Sequence, residues 1–212
     1  MKSSFYGIIV FSLIFTCISI GAPEPAMIPR PSQWTLDCTF THPEQIVLRR
    51  AEDNKPIRFW YIIITLTNNT GQDIDFYPKC ELITDTFQSI PAGKGVGSIV
   101  FERIKQRHKK NYPFLELLGK TDNKILQGRD NTKDIAIIWP DFDAQANNIS
   151  IFIGGLSNEL AVVKHPVTKN QDNEPIEIYL RKTLNLKYNI TGNSASSSGA
   201  NLEYKNKSWL MR

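Results

Sequence analysis

The sequence predicts a mainly β protein: a two-sheet antiparallel sandwich with one short helix insertion. Three observations lead there. About eight to ten short segments alternate apolar and polar residues or run apolar throughout, and turn residues separate them. No helices alternate with these segments, so a parallel sheet is not expected. One stretch alone, after residue 97, carries apolar residues at helical spacing.

The N-terminus comes first. Lys2 supplies a positive charge, and residues 8–20 are apolar apart from Ser12, Thr16, Ser19 and Cys17. That length suits the hydrophobic region of a signal peptide and is short for a membrane span. Ile20-Gly21-Ala22 ends on small residues, so residues 1–22 read as a signal peptide. Pro23 disfavours cleavage directly after Ala22, and cutting after Ser19 is the alternative. A retained anchor is the other reading. A lipid anchor through Cys17 fits less well, because Phe15 and Thr16 stand where small residues are expected. The expected location is extracytoplasmic, periplasmic or secreted, with a signal-anchored membrane protein as the alternative. Membrane contact is expected only if the segment is retained.

Residues 23–33, with Pro23, Pro25, Pro29 and Pro31, read as an extended, unpacked leader. Residues 34–212 read as a single sandwich domain. Trp34, Leu36, Cys38 and Phe40 share one face of a half-buried strand. Residues 46–49 give a second strand, and residues 52–56 a turn. Residues 58–67 are apolar on both faces, which predicts a central strand covered on both sides. Asn68-Asn69-Thr70-Gly71 ends it. Residues 74–76 and 80–84 follow as strands around Pro78. Ser98 is the expected cap of a helix to about Lys109, with Val100, Ile104 and His108 on one face, and a strand over residues 98–104 is the alternative. Later strands are expected at residues 134–139, 148–154, 176–179, 183–190 and 209–211, with a flexible insert over residues 192–200.

Without residues 1–22 the chain has 190 of its 212 residues, and losing Lys2 leaves 24 basic against 21 acidic residues, a net charge of +3. Such a chain buries about 70% of its unfolded surface, so its core needs no metal. The charge is too mild to point to nucleic acid. The basic run Arg103, Lys105, Arg107, His108, Lys109 and Lys110 reads as a solvated helix end. Cys38 and Cys80 form a candidate disulfide in an oxidising compartment, and two buried free thiols are the other reading.

Few residues point to chemistry. His42, His108 and His165 lie in no paired metal-ligand spacing, and neither Gly-x-Ser-x-Gly nor Ser-x-x-Lys occurs. Gly93-Lys94-Gly95-Val96-Gly97 lacks the Gly-Lys-Ser/Thr ending of a phosphate loop and reads as a mobile loop. Asp141-Phe142-Asp143 resembles the start of a calcium loop, but Ala146 and Phe152 stand where glycine and glutamate are needed. Glu81, Asp85, Glu102 and Glu116 are acid–base candidates by residue type alone. Asn68, Asn148, Asn189 and Asn206 begin Asn-x-Ser/Thr sequons at strand ends. Trp34, Trp60 and Trp139 lie on apolar faces, which leaves Trp209 as the tryptophan freest to stack on a ligand.

The stretch Phe59-Trp60-Tyr61-Ile62-Ile63-Ile64-Thr65-Leu66-Thr67-Asn68-Asn69-Thr70-Gly71-Gln72-Asp73 resembles a signature of bacterial secreted proteins with an immunoglobulin-like extracytoplasmic domain. Ile135-Ala136-Ile137-Ile138-Trp139-Pro140 and Phe152-Ile153-Gly154-Gly155-Leu156-Ser157 resemble later strands of one such family of unknown function. The likeness covers most of residues 34–190. It departs at Leu126-Gln127-Gly128-Arg129-Asp130, where the acidic residue comes one position late. The resemblance implies an immunoglobulin-like sandwich and export, and no catalytic residue. The expectation is an exported, non-enzymatic domain without cofactor, whose partner is a protein or other component of the cell envelope. A carbohydrate-binding module is the alternative.

Overall fold

The computed structural model describes residues 24–192 and 200–212. Residues 1–22, read as a signal peptide, and most of the insert expected at 192–200 lie outside the described residues. No helix among the described residues is long and apolar enough to cross a membrane.

In chain order the elements are β1 (Ala26–Met27), β2 (Asp37–Phe40), β3 (Glu44–Arg49), β4 (Pro56–Asn68), β5 (Ile74–Asp75), β6 (Lys79–Thr84), β7 (Ser89–Pro91) and α1 (Ser98–His108). There follow β8 (Glu116–Leu117), a 3-10 turn (Leu118–Lys120), β9 (Lys124–Ile125), β10 (Gly128–Pro140), β11 (Asn148–Gly154), β12 (Leu160–Lys169), β13 (Pro175–Gly192) and β14 (Ala200–Met211). One sheet runs β1-β12-β13-β11-β6-β7, with β14 also on β13. The other runs β2-β4-β10-β8, with β3 also on β4. Their pairings are antiparallel except β8 with β10. The protein is therefore mainly β with antiparallel sheets, as the strand pattern predicts.

Period-two alternation explains the layers. On β4, Trp60, Ile62, Ile64 and Leu66 face the other sheet, where Leu82, Ile151, Leu184 and Leu186 meet them. Phe59, Tyr61 and Ile63 point the opposite way and are covered by Val100, Phe101 and Ile104 of α1. The two-sided apolar run of β4 thus sits between a sheet and a helix. Its neighbour β10 matches it in register, Ile135 opposite Ile64 and Trp139 opposite Trp60. Both cores are assembled from residues 36–200. Residues 23–212 therefore carry the core contacts found among the described residues.

Several expectations need correction. Gly97, extended at φ −73° and ψ 153°, is the N-cap of α1, and no side chain caps the helix. Ser98 is instead the first helical residue. The leader is not wholly unpacked, because Ala26 and Met27 pair with Val162 and Ala161 of β12. The strands expected at 176–179 and 183–190 are one continuous strand, β13. Its second half pairs with β11 and β14, and its first half pairs with β12 to form a largely exposed arm.

Cys38 and Cys80 are both free thiols, which corrects the disulfide reading. They approach the interlayer core from opposite sheets, Cys38 on β2 and Cys80 on β6. Burial pushes the Cys38 thiol up to about 11 and raises Cys80 further. Only the thiolate exchanges with disulfides, so both sulfurs are held in the unreactive form. The expected result with a thiol reagent is two reactive cysteines in the unfolded residue 23–212 chain and slow reaction in the folded one. A mass two units lower, with no reactive thiol after unfolding, would refute it.

Candidate functional site

The segment between β5 and β6 shapes the surface. Gly155 ends β11 at φ +88°, and a Cβ there would lie 2.8 Å from the Tyr77 carbonyl oxygen. Only glycine combines that backbone with that approach. The β11 end can therefore press against Tyr77-Pro78, which sets the Tyr77 ring on a rim between two clefts.

The first cleft, about 630 Å³, lies on the outer face of the larger sheet and is lined by Tyr77, Lys79, Glu81, Phe152, Tyr179, Arg181, Thr183 and Arg212 around Gly154 and Gly155. Tyr179, Arg181 and Thr183 alternate along β13 and so share a face. The Arg212 guanidinium lies 4.2 Å from the Phe152 ring centroid and donates to Glu81 Oε2 at 2.7 Å. Lys79 Nζ lies 3.5 Å from the same carboxylate. Tyr179 Oη donates to Glu177 Oε2 at 2.9 Å, and that carboxylate raises the phenol above its ordinary value. Tyr77 is 69% exposed and Tyr179 60% exposed, so both rings are accessible. Arg181 is exposed, and among the described residues its side chain makes no hydrogen bond or ion pair. Three cations, Lys79, Arg181 and Arg212, stand here with two carboxylates, Glu81 and Glu177. Two open aromatic rings and an unspent guanidinium suit a ligand with both apolar faces and anionic oxygens.

The second cleft, about 620 Å³, lies on the other side of Tyr77 and is largely apolar, with Ala92, Val96, Leu117, Leu118 and Ile138 in its wall. The glycine-rich loop borders it. Its amides are partly engaged, Gly93 N–H with the Ile138 carbonyl and Val96 N–H with the Gly93 carbonyl.

Apart from Glu81, which lines the first cleft, most candidate residues of the sequence lie elsewhere. Trp209, opposite Leu184 on β14, turns inward and packs against the core, and Lys182 Nζ sits 5.2 Å from its ring centroid. It does not offer the free ring face expected of it. Trp60 and Trp139 are buried, and Trp34 is half-buried against the core. His42 sits among Phe40, Tyr188 and Tyr204. His165 Nδ1 accepts from Thr168 N–H at 2.8 Å, which shapes an irregularity in β12.

His108 belongs to a cluster of acid–base residue types. Tyr61 Oη donates to Glu44 Oε2 at 2.8 Å, receives Arg107 at 3.1 Å and lies 2.9 Å from His108 Nε2. Burial and Glu44 raise the Tyr61 hydroxyl far above its ordinary value. It stays a neutral hydroxyl and ties α1 to β3 and β4.

The acidic candidates are dispersed. Glu81 holds Arg212, Asp85 holds the Asn147 and Asn148 amides, Glu116 holds Lys133, and Glu102 is exposed on α1. Asp141 is spent on Arg58 and Trp60, and Asp143 accepts from the Gln145 amide. The oxygens of the calcium-like stretch thus serve the fold. Asn68 is fully buried and donates to the Gln72 and Ile125 carbonyls, which is its reason to be asparagine.

The sequence missed Tyr77, Tyr179 and Arg181. The available signal was the period-two set Glu177, Tyr179, Arg181 and Thr183, polar opposite the apolar Ile176 and Ile178. No family model matches the chain, and no curated protein and no solved structure shows significant similarity to it.

Proposed function

We propose that the protein is an exported, non-enzymatic recognition module of immunoglobulin-like type. Its ligand is an acidic glycan of the cell envelope, bound on the outer sheet face between Tyr77 and Tyr179. The observation that carries this reading is the pair of exposed rings beside the unspent Arg181 guanidinium. Tyrosine rings stack on the C–H faces of sugars, and guanidinium forks take carboxylates in paired hydrogen bonds. The excess of Lys79, Arg181 and Arg212 over Glu81 and Glu177 favours uronic over neutral sugars. The carbohydrate reading thus moves from Trp209 to two tyrosines.

Titration calorimetry of residues 23–212 with an oligouronate, and with a neutral maltooligosaccharide as control, tests it. Binding of the oligouronate alone is expected. Tyr77→Ala and Tyr179→Ala should each weaken it about tenfold, and the pair about a hundredfold. Equal affinity for both sugars, or no loss in the double variant, would refute the reading.

A second reading is a protein partner. The arm of β12 and β13 favours it, because residues 175–180 have no strand partner on their second edge among the described residues. An open edge of that kind accepts an added strand.

A further inference from the structure

The positive charge of this protein is concentrated in one place. Residues 98–114 hold five Lys/Arg, namely Arg103, Lys105, Arg107, Lys109 and Lys110, against Glu102, a net +4. The whole chain carries +4, so everything outside that segment sums to zero. Arg103, Lys109 and Lys110 are exposed, whereas Arg107 pairs with Glu44 of β3 at 3.8 Å and Lys105 lies half-buried over the Phe101 ring. Val100, Phe101 and Ile104 of α1 are buried, which turns Arg103 and Lys110 to solvent. Arg49 of β3 joins Arg103 and Arg107 around a shallow groove of about 510 Å³. Among the described residues the side chains of Arg103, Lys109 and Lys110 make no hydrogen bond or ion pair.

The helix dipole accounts for cations in the last turn. It accounts neither for Arg103 in mid-helix nor for the exposed apolar side chains at either end of the segment. Phe114, four residues after Lys110, is 83% exposed, and Ile99 at the start of the helix is 58% exposed. A large apolar side chain standing clear of the fold a few residues along the chain from unpaired cations has the composition of a peripheral membrane contact. There the cations meet lipid phosphates, and the aromatic ring enters the boundary of headgroup and acyl chain.

We propose that α1 and the loop carrying Phe114 form a docking face for an anionic phospholipid surface. The proposal is independent of the glycan cleft, which lies on the outer face of the other sheet. Nucleic acid supplies the negative charge but no apolar layer for Phe114, and an acidic protein would need a pocket matched to it. A lipid surface supplies both.

Co-sedimentation of residues 23–212 with vesicles tests it. Binding is expected to phosphatidylglycerol-containing vesicles and to be at least tenfold weaker to pure phosphatidylcholine. On the unmodified chain it should fall steeply between 0.05 and 0.5 M salt, a readout that needs no variant to fold. Each cation near an anionic surface contributes about 1 kcal/mol, or about fivefold. The triple variant Arg103→Gln, Lys109→Gln, Lys110→Gln should therefore lose roughly a hundredfold. Phe114→Ser should lose about tenfold. Inorganic phosphate at equal ionic strength should not displace the protein more than chloride does. Failure to bind phosphatidylglycerol vesicles would overturn the proposal. So would binding unchanged in both variants, displacement by free phosphate, or equal affinity for polyglutamate.

Discussion

Trp139→Ala should destabilise the protein by about 3–5 kcal/mol, the cost of emptying a buried indole site. Trp139 has no exposed surface and faces the interlayer core opposite Trp60 on β4. Both sheets meet there, so the cavity cannot collapse without moving a β10 residue held in register. Trp139→Phe should cost far less. The Trp139 Nε1–H has no hydrogen-bond partner among the described residues. Phenylalanine removes a buried unsatisfied donor, which offsets about 1–3 kcal/mol of the lost packing. Urea unfolding of both variants checks this. Equal penalties for Ala and Phe would show that the phenyl ring recovers none of the packing lost with the indole.

Asp141→Ala is the second large effect expected, about 3 kcal/mol. The carboxylate lies 2.9 and 3.0 Å from Arg58 Nε, 2.9 Å from Arg58 Nη2 and 3.0 Å from Trp60 Nε1. The Arg58 side chain is only 4% exposed, whereas that of Asp141 is 38% exposed. Removing one partner of a buried pair costs about 3–5 kcal/mol. Water can reach the vacated position, which puts this case at the low end. Asp141→Asn keeps the volume and one acceptor oxygen and should recover about half. Melting curves of the two variants decide it: an Ala penalty below about 1 kcal/mol would mean that Asp141 is a surface residue of no structural weight.

These two positions also show what was legible in the sequence. β4 and β10 were readable because their apolar residues fill both faces or one face without interruption, and core burial dictates such patterns directly. β12 was not. Lys164, His165 and Pro166 interrupt its pattern, because the arm leaves the sandwich and its faces meet water. β13 reads as two strands for a related reason. Arg181 and Lys182 fall where the strand passes from the arm to the sandwich, and Lys182 is tied to Glu159 rather than buried in the core. Most of β14 was invisible, because Glu203, Lys205 and Lys207 give it the polar look of an edge.

The candidate site was least legible of all. Tyr77 and Tyr179 stand on different elements, and a glycine contact brings the Tyr77 segment into place. Gly155 is recognisable in sequence as a strand end. Its close approach to the Tyr77 carbonyl is a tertiary fact with no local pattern. Trp209 stands out by residue type, but its register opposite Leu184 turns it into the core.

The glycan cleft is the central claim, and nitrogen–proton NMR of labelled residues 23–212 titrated with an oligouronate tests it most directly. Saturable shifts should appear at the backbone amides of Tyr77, Phe152, Gly154, Gly155, Tyr179, Arg181 and Thr183, and α1 should stay unmoved. No saturable shift, or shifts confined to residues 98–114, would contradict it.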